Sequence, residues 1–250
     1  MGVRKNILIT GASAGLGEQM ARDFAARGRD LALCARRLDR LEALRDELLA
    51  AHPGITITVR QLDVTEHAQV FAVFDGVRAE FGTLDRVIVN AGGGKGRPIG
   101  TGGFDTNLHS AQTNFVAALA QCEAAVQIFR DQGHGHLVVI SSMSAMRGLP
   151  RGMTTYAATK AGVTALAEGI RADLLGTAVK VTTVFPGYIV SEANPAARPK
   201  PMMVSTEQGV RAMVRAIERE RPQAKVPAWP WVPVGFVMRH APLRAVARFS

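Results

Sequence analysis

KNILITGASAGLG, residues 5–17, decides how the chain is read. Residues 5–10 form a short, apolar, β-branched run of the kind a buried strand needs. Gly11, Gly15 and Gly17 follow, with Ser13 and Leu16 among the residues between them, and residues 18–27 carry a helical pattern. Strand, glycine-rich turn and helix in that order make a cradle for a dinucleotide pyrophosphate. The glycines allow a tight turn and close backbone approach, and the helix start offers free N–H groups at the positive end of its dipole. The spacing is G-x-x-x-G-x-G rather than the commoner G-x-G-x-x-G.

The chain around this turn has 250 residues, 47% hydrophobic and 20% charged, which suits one large α/β domain with a substantial core. It holds no run of about 18 apolar residues that would cross a membrane. The first ten residues, MGVRKNILIT, lack the long apolar segment and cleavage site of a signal peptide, and Asn6 breaks a myristoylation match. Cys34 and Cys122 lie in apolar surroundings and read as reduced, so the expected location is cytoplasmic. The formal charge is +9, and residues 196–250 carry ten Lys or Arg against three Glu. A basic tail can meet nucleic acid or an anionic membrane. The preferred expectation is a solvated face or a contact with another subunit, with no nucleic-acid partner; peripheral membrane contact is the less favoured alternative.

Strands and helices alternate along the chain. Residues 30–35 read as a second strand, and an acid at its end would favour NAD by binding both ribose hydroxyls. Here Ala35 is followed by Arg36 and Arg37. A guanidinium can bind a 2′-phosphate bidentately, which points to NADP over NAD, with Arg36 as the preferred partner. Residues 38–51 read as an amphipathic helix and 55–62 as a third strand. Asp63 and Val64 then fall at the ligand-facing end of the sheet, where Asp63 can meet adenine or cap the next helix. Helix 66–82, strand 86–89 and the small residues Asn90, Ala91 and Gly92 follow. GGGKGRPIGTGG, residues 92–103, reads as a mobile loop. A long helix over 105–130 carries Asn114, strand 136–140 delivers Ser141 and Ser142, and strand 180–185 leads to Pro186 and Gly187. The last clear helix spans 206–221, and a final strand is expected at Lys225 and Val226.

Tyr156 and Lys160 stand four apart on a helix predicted over 153–175, so both side chains share one face. A phenol alone titrates near 10. An ammonium beside it would lower that value and make the pair a usable proton donor or acceptor.

TGASAGLG at 10–17, NAG at 90–92, ISS at 140–142, YAATK at 156–160 and PGYIVS at 186–191 occur together and in order. With them the sequence resembles the short-chain dehydrogenase/reductase family over about residues 4–226. The resemblance implies a seven-stranded, mostly parallel Rossmann sheet flanked by helices, assembled as a homodimer or homotetramer. It implies Tyr156 as catalytic acid/base, Lys160 as the group that tunes it and holds the nicotinamide ribose, Ser142 as the substrate-oxygen ligand, and Asn114 as a relay residue acting through its backbone. Gly11, Gly15 and Gly17 would cradle the pyrophosphate, Asn90 would fix the cofactor-side strand end, and Ile189 and Ser191 would meet the carboxamide. No metal is implied. Ser142 to Tyr156 is 14 residues, one more than the family's usual interval, so Ser141 or Ser144 can share the role.

The expected domain is therefore residues 1–226, a Rossmann dinucleotide-binding and catalytic unit. Residues 227–250 form an extension packed on it, at an interface or on a membrane surface. The expected activity is NADP-dependent interconversion of a carbonyl and a secondary alcohol. Met143, Met146, Leu149 and Met153 suggest an apolar pocket and a lipophilic substrate, with residues 192–204 as part of a lid. The competing class is a non-catalytic NADP-binding regulator of the same fold. In the tail, the prolines are expected to break any helix before Val234, with His240, Arg244 and Arg248 on one face of a short helix beyond it.

Overall fold

The computed structural model describes residues 2–190 and 202–245; Ser191, Arg248 and most of the expected lid lie outside them. Seven strands are named in chain order: Asn6–Thr10 (β1), Asp30–Ala35 (β2), Ile57–Gln61 (β3), Arg86–Val89 (β4), Gly135–Ile140 (β5), Val179–Pro186 (β6) and Gln223–Val226 (β7). They form one sheet in the order β3-β2-β1-β4-β5-β6-β7, and every neighbouring pair is parallel. The chain leaves β1 in one direction and returns beside it as β4. That reversal opens a crevice at the C-terminal ends of these two strands, where ligands of such sheets bind.

Parallel strands need crossover helices, and these cover both faces. Side chains alternate along β1: Ile7 and Ile9 face one layer, Leu8 the other. Met20 and Phe24 of Gly15–Ala25 (α1), Leu41, Leu44 and Leu48 of Leu38–Ala51 (α2), and Met213 and Ile217 of Thr206–Glu218 (α7) pack on the first face. The second face takes Phe74 of His67–Phe81 (α3), Phe129 of Ala117–Gln132 (α5) and Val163 of Thr154–Asp173 (α6). Cys34 and Cys122 are buried free thiols. Among the described residues no helix is long and apolar enough to cross a membrane.

The long helix expected over 105–130 is divided. Phe104–Ala111 (α4) passes through a π-helical turn, Gln112–Val116, into α5. The tail corrects a second expectation. A helix, Ala228–His240 (α8), starts well before Val234 and contains Pro233. Trp229 has extended backbone, φ −99° and ψ 131°, so the regular helix begins after it. Pro233 then lies in the first turn, where a helix needs no N–H donor. The extension packs on the domain through Trp231, which is buried with Met143 and Phe185.

At the opposite end of the sheet from the crevice sits a buried ionic cluster. Arg86, at the start of β4, is 1% exposed and donates to Glu218 Oε1 at 2.6 Å and to His136 Nδ1 at 2.9 Å. A guanidinium only donates, so His136 Nδ1 is the acceptor and its Nε2–H points to Thr182 Oγ1, 2.8 Å away. Arg29 holds the other oxygen of Glu218 at 3.0 Å. Burial, together with Arg86, pushes His136 well below its ordinary value. Burial pulls Glu218 upward, but Arg86 and Arg29 outweigh it and hold the carboxylate below its ordinary range.

Both shifts act in one direction. His136 stays neutral in the fold, so the unfolded chain takes up that proton first as pH drops through about 6.5. The stabilisation from Glu218 is present above the ordinary carboxylate pKa and is lost as pH falls through its folded value. Thermal stability should decline steadily between pH 7 and pH 4. Glu218→Gln leaves Arg86 buried without its counter-ion and should cost on the order of 2–4 kcal/mol in urea unfolding at pH 7. A loss below about 0.5 kcal/mol would show that the cluster carries no stability.

Candidate active site

The glycine turn is fixed from behind by the end of β4. Thr10 Oγ1 accepts from the backbone N–H groups of Asn90 and Ala91, both at 3.1 Å. Asn90 Nδ2 donates to Thr10 O at 2.9 Å. Gly11 and Gly15 have φ of +66° and +59°, in the left-handed region that disfavours side chains. A Cβ at Gly17 would land on the Gly11 carbonyl oxygen. α1 begins at Gly15 with no side-chain cap from Ala14, so its first N–H groups are free to meet an anion.

Two arginines stand beside the turn. Arg37 is drawn onto it, donating from Nε to Ser13 Oγ and from Nη2 to Ser13 O, each at 3.3 Å. Arg36 is exposed and lines the same crevice. Asp63 Oδ1 accepts from Thr65 N at 3.0 Å and Thr65 Oγ1 at 2.7 Å. These bonds, with a weaker contribution from Arg36, hold its carboxyl below the ordinary value. Asp63 does not cap the next helix, whose N-cap is Glu66; its carboxylate instead closes the turn at Thr65 and remains on the crevice wall.

The catalytic candidates converge where β5 ends. Ser142 caps the 3₁₀ turn Met143–Met146, and its Oγ accepts from Ser144 N at 3.2 Å and Ser144 Oγ at 2.8 Å. Its hydroxyl also lies near enough to the Tyr156 phenol to favour the ionised form of that group. The long interval between them is taken up by this turn and a second one, Arg151–Met153, where Arg151 adopts φ +59°. Ser141 points elsewhere: its Oγ donates to Lys160 O at 3.0 Å and pairs with Thr164 Oγ1 at 2.8 Å. It braces α6 rather than sharing the work of Ser142, whereas Ser144 supports that hydroxyl directly.

Lys160 is buried, and its Nζ donates to Ile140 O at 2.8 Å. Burial lowers its pKa to about 8. Burial raises the Tyr156 phenol above its ordinary value near 10, and the nearby Ser142 hydroxyl only partly opposes this. The expectation that Lys160 lowers Tyr156 is therefore not met in this arrangement. Desolvation dominates, and the ammonium is committed to the Ile140 carbonyl.

Asn114 lies in the π turn, and it is buried. Its Oδ1 accepts from Gly93 N and its Nδ2 donates to Gly93 O, both at 2.8 Å. A further bond runs from Nδ2 to Ser110 O at 2.9 Å. A Cβ at Gly92 would approach Asn114 Oδ1 to 2.8 Å, so a larger residue here would push the Asn114 amide aside. The side chain is occupied with the loop, which leaves the backbone for the relay role that the sequence implies. π turns loosen the regular ladder, and they recur at functional sites.

The short chain dehydrogenase family model matches residues 5–202. The chain belongs to the short-chain dehydrogenase/reductase family. An uncharacterized oxidoreductase of Mycobacterium tuberculosis is 49% identical over 247 residues, covering 99% of this chain and 98% of that one. An NADP-dependent 3-hydroxy acid dehydrogenase of Escherichia coli is 32% identical over 184 residues, covering 73% and 72%. Among solved structures, an alcohol dehydrogenase from Thermococcus sibiricus complexed with 5-hydroxy-NADP superimposes with a TM-score of 0.77 at 26% identity, covering 88% of this chain and 94% of that one.

In this short-chain dehydrogenase/reductase one crevice of about 780 Å³ collects nearly all the sequence candidates. Gly11, Ser13, Gly15 and Leu16 line it from the turn, and Arg36, Arg37, Asp63 and Val64 from the strands beside it. Asn90, Ala91, Gly92, Ser142, Tyr156 and Lys160 line its middle, and Pro186, Gly187 and Ile189 its far wall. Gly17 and Asn114 act from behind the lining. Ser191 lies outside the described residues.

Among the described residues, Met143, Met146, Leu149 and Met153 do not line the crevice, and most of the lid expected to complete an apolar pocket lies outside them. Met143 is instead core, packed with Phe185 and Trp231. Sequence reading missed His109 and Thr113, which line the crevice from α4 and the π turn. Their signal was available, since they stand four apart just before Asn114 on one helical face.

Proposed function

We propose that this protein interconverts a carbonyl and a secondary alcohol with NADP(H), using Tyr156 as the acid/base. The observation that carries the reading is the convergence of Ser142, Tyr156 and the buried Lys160 ammonium in the same crevice as the glycine turn and Arg36.

The residues present suit a nicotinamide dinucleotide. Lys160 Nζ has three N–H donors, of which one is matched by a bond to Ile140 O among the described residues. Thr113 Oγ1 is buried at the crevice wall without a partner among them. Both fit polar groups of a ligand lying along β4 and β5. Gly11, Gly15, Gly17 and the uncapped start of α1 suit the pyrophosphate, and Arg36 suits a 2′-phosphate. The cofactor, once bound, would supply the hydride.

The protein's share is proton supply and orientation. Ser142 Oγ is held by Ser144, so its proton can point to the carbonyl oxygen and stabilise the charge that grows there. Tyr156, with its raised pKa, is a neutral phenol at pH 7 and donates its proton to that oxygen in reduction. The Lys160 ammonium, with donors beyond the one it gives to Ile140 O, would hold the ribose. Asn114 and the brace of Ser141 on Lys160 O keep the helix and loop in register.

The substrate is a carbonyl compound. Two of the methionines that suggested a lipophilic one, Met143 and Met146, pack with Phe185 and Trp231. The 3-hydroxy acid substrate named for the Escherichia coli relative and the alcohol class named for the Thermococcus sibiricus enzyme are the first compounds to assay. Self-association as a homodimer or homotetramer would cover the exposed Phe104, Leu108, Val116 and Leu119 along α4 and α5.

Tyr156→Phe should retain the fold and NADPH binding, and reduce kcat by about 10²–10⁴-fold in NADPH oxidation over a panel of ketones, 3-oxo acids and aldehydes. Near-native turnover in this variant would remove Tyr156 as the acid. Reduction needs both the phenol and the ammonium protonated, so kcat/KM should be flat below the Lys160 value of about 8 and fall above it. A profile that rises through pH 8 would contradict the assignment. Arg36→Ala should weaken NADPH by roughly 10- to 100-fold, the worth of charge-assisted bonds, with little change for NADH. An unaltered NADPH/NADH preference would sink the phosphate assignment.

A further inference from the structure

The glycine loop 92–103 is tied down by a device used twice. Asn107 on α4 and Asn114 in the π turn stand seven residues apart, about 10 Å along a helix. Asn114 makes its paired bonds to the N–H and C=O of Gly93. Asn107 does the same to Arg97: its Oδ1 accepts from Arg97 N at 2.9 Å and its Nδ2 donates to Arg97 O at 3.2 Å. A carboxamide presents a donor and an acceptor as a peptide group does, so each asparagine imitates one rung of a sheet. Four extended residues reach at most about 13 Å, which matches the helical distance between the two clamps. A glycine precedes each clamped residue. The Cβ of a side chain at Gly96 would fall on Asn107 Oδ1, as one at Gly92 would crowd Asn114 Oδ1.

The third partner of Asn114 is Ser110, one turn back on its own helix, whereas that of Asn107 lies on α6. Thr155 Oγ1 donates to Asn107 Oδ1 at 3.0 Å, and Thr155 is the neighbour of Tyr156. The loop also lies against the turn before α6, because a Cβ at Gly152 would come within 2.7 Å of Gly96 O.

We propose that Asn107 is a positioning residue that clamps Arg97 to Thr155 and so fixes loop 93–97 as the wall beside Tyr156, shielding the phenol and shaping the entry of the carbonyl. This rests on the proposed function for its catalytic meaning, but not for its test. The loop glycines then serve close approach of two amides. The segment between the clamps is a fixed wall rather than the mobile loop its composition suggests.

The chain has two tyrosines, so a Tyr188→Phe background leaves Tyr156 as the single phenol. Its ionisation is then read directly from tyrosinate absorbance. Burial is what raises this phenol. Asn107→Ala should admit water and move the titration down toward the ordinary value near 10. Gly96→Ala, which leaves Asn107 in place but pushes its amide away, should give the same shift. The double variant should shift no further than either single one. Thr155→Val deletes one bond only and serves where Asn107→Ala fails to fold. NADPH affinity should be unchanged in all of them, and KM for the carbonyl should rise roughly 3- to 10-fold, the worth of one or two hydrogen bonds. An unmoved Tyr156 titration in these variants, or a parallel loss of NADPH affinity, would overturn the positioning role. Absence of turnover in the parent protein would count against the proposed function alone, since the titration is read without substrate.

Discussion

The site depends on one buried charge. An ammonium loses several kcal/mol of hydration on entering a protein interior, and Lys160 regains part of it from a single carbonyl, Ile140 O. The consequence is a lysine pulled down to about 8. Much of the surrounding sequence is arranged so that this charge stays where it is. β5 ends at Ile140 to provide the acceptor. Ser141 and Thr164 both bond the Lys160 carbonyl, fixing the helix turn that carries it. A Cβ at Gly92 would sit 3.6 Å from Nζ, so the loop passes close above it.

The two ends of the sheet treat charge in opposite ways. At the N-terminal edge, Arg86 finds Glu218 and His136, and Glu218 is shared with Arg29. In that cluster each guanidinium reaches the Glu218 carboxylate, although Arg29 Nε stays without a partner among the described residues, and the cluster's role is stability. At the C-terminal edge, the N–H groups of α1 are uncapped, Thr113 Oγ1 has no partner among the described residues, and Lys160 keeps donors in hand. Polar groups left short of partners are costly inside a protein, so a ligand that supplies them gains affinity there. The same sheet is thus closed at one end and receptive at the other.

The sequence made the layered fold legible because the βα repeat leaves a period that composition does not blur. The second strand and the helix after it fall at residues 30–35 and 38–51, as the pattern predicted. The glycine turn, Ser142, Tyr156 and Lys160 were legible as residues, and the fold brings them together. What burial does to charge was not legible: a Tyr-x-x-x-Lys spacing promises a lowered phenol, whereas desolvation raises it. The tail misled because Pro233 looks like an interruption until Trp229 is seen to start the helix late. Met143 and Met146 pack with Phe185 and Trp231, a use that nearness in sequence to Ser142 does not reveal. Asn114 was legible as a helix residue, but a side chain reaching back 21 residues to Gly93 has no local signature. Asn107 has none either, and its meaning comes only from the loop it holds.

The proposed reaction brings hydride and proton together on a carbonyl at Ser142 and Tyr156. Its sharpest test follows the label from NADPH carrying deuterium at both C4 positions into the product of the best carbonyl substrate. The account predicts deuterium on the carbinol carbon, with the hydroxyl proton drawn from the protein and solvent. A product alcohol carrying no deuterium at that carbon would contradict it.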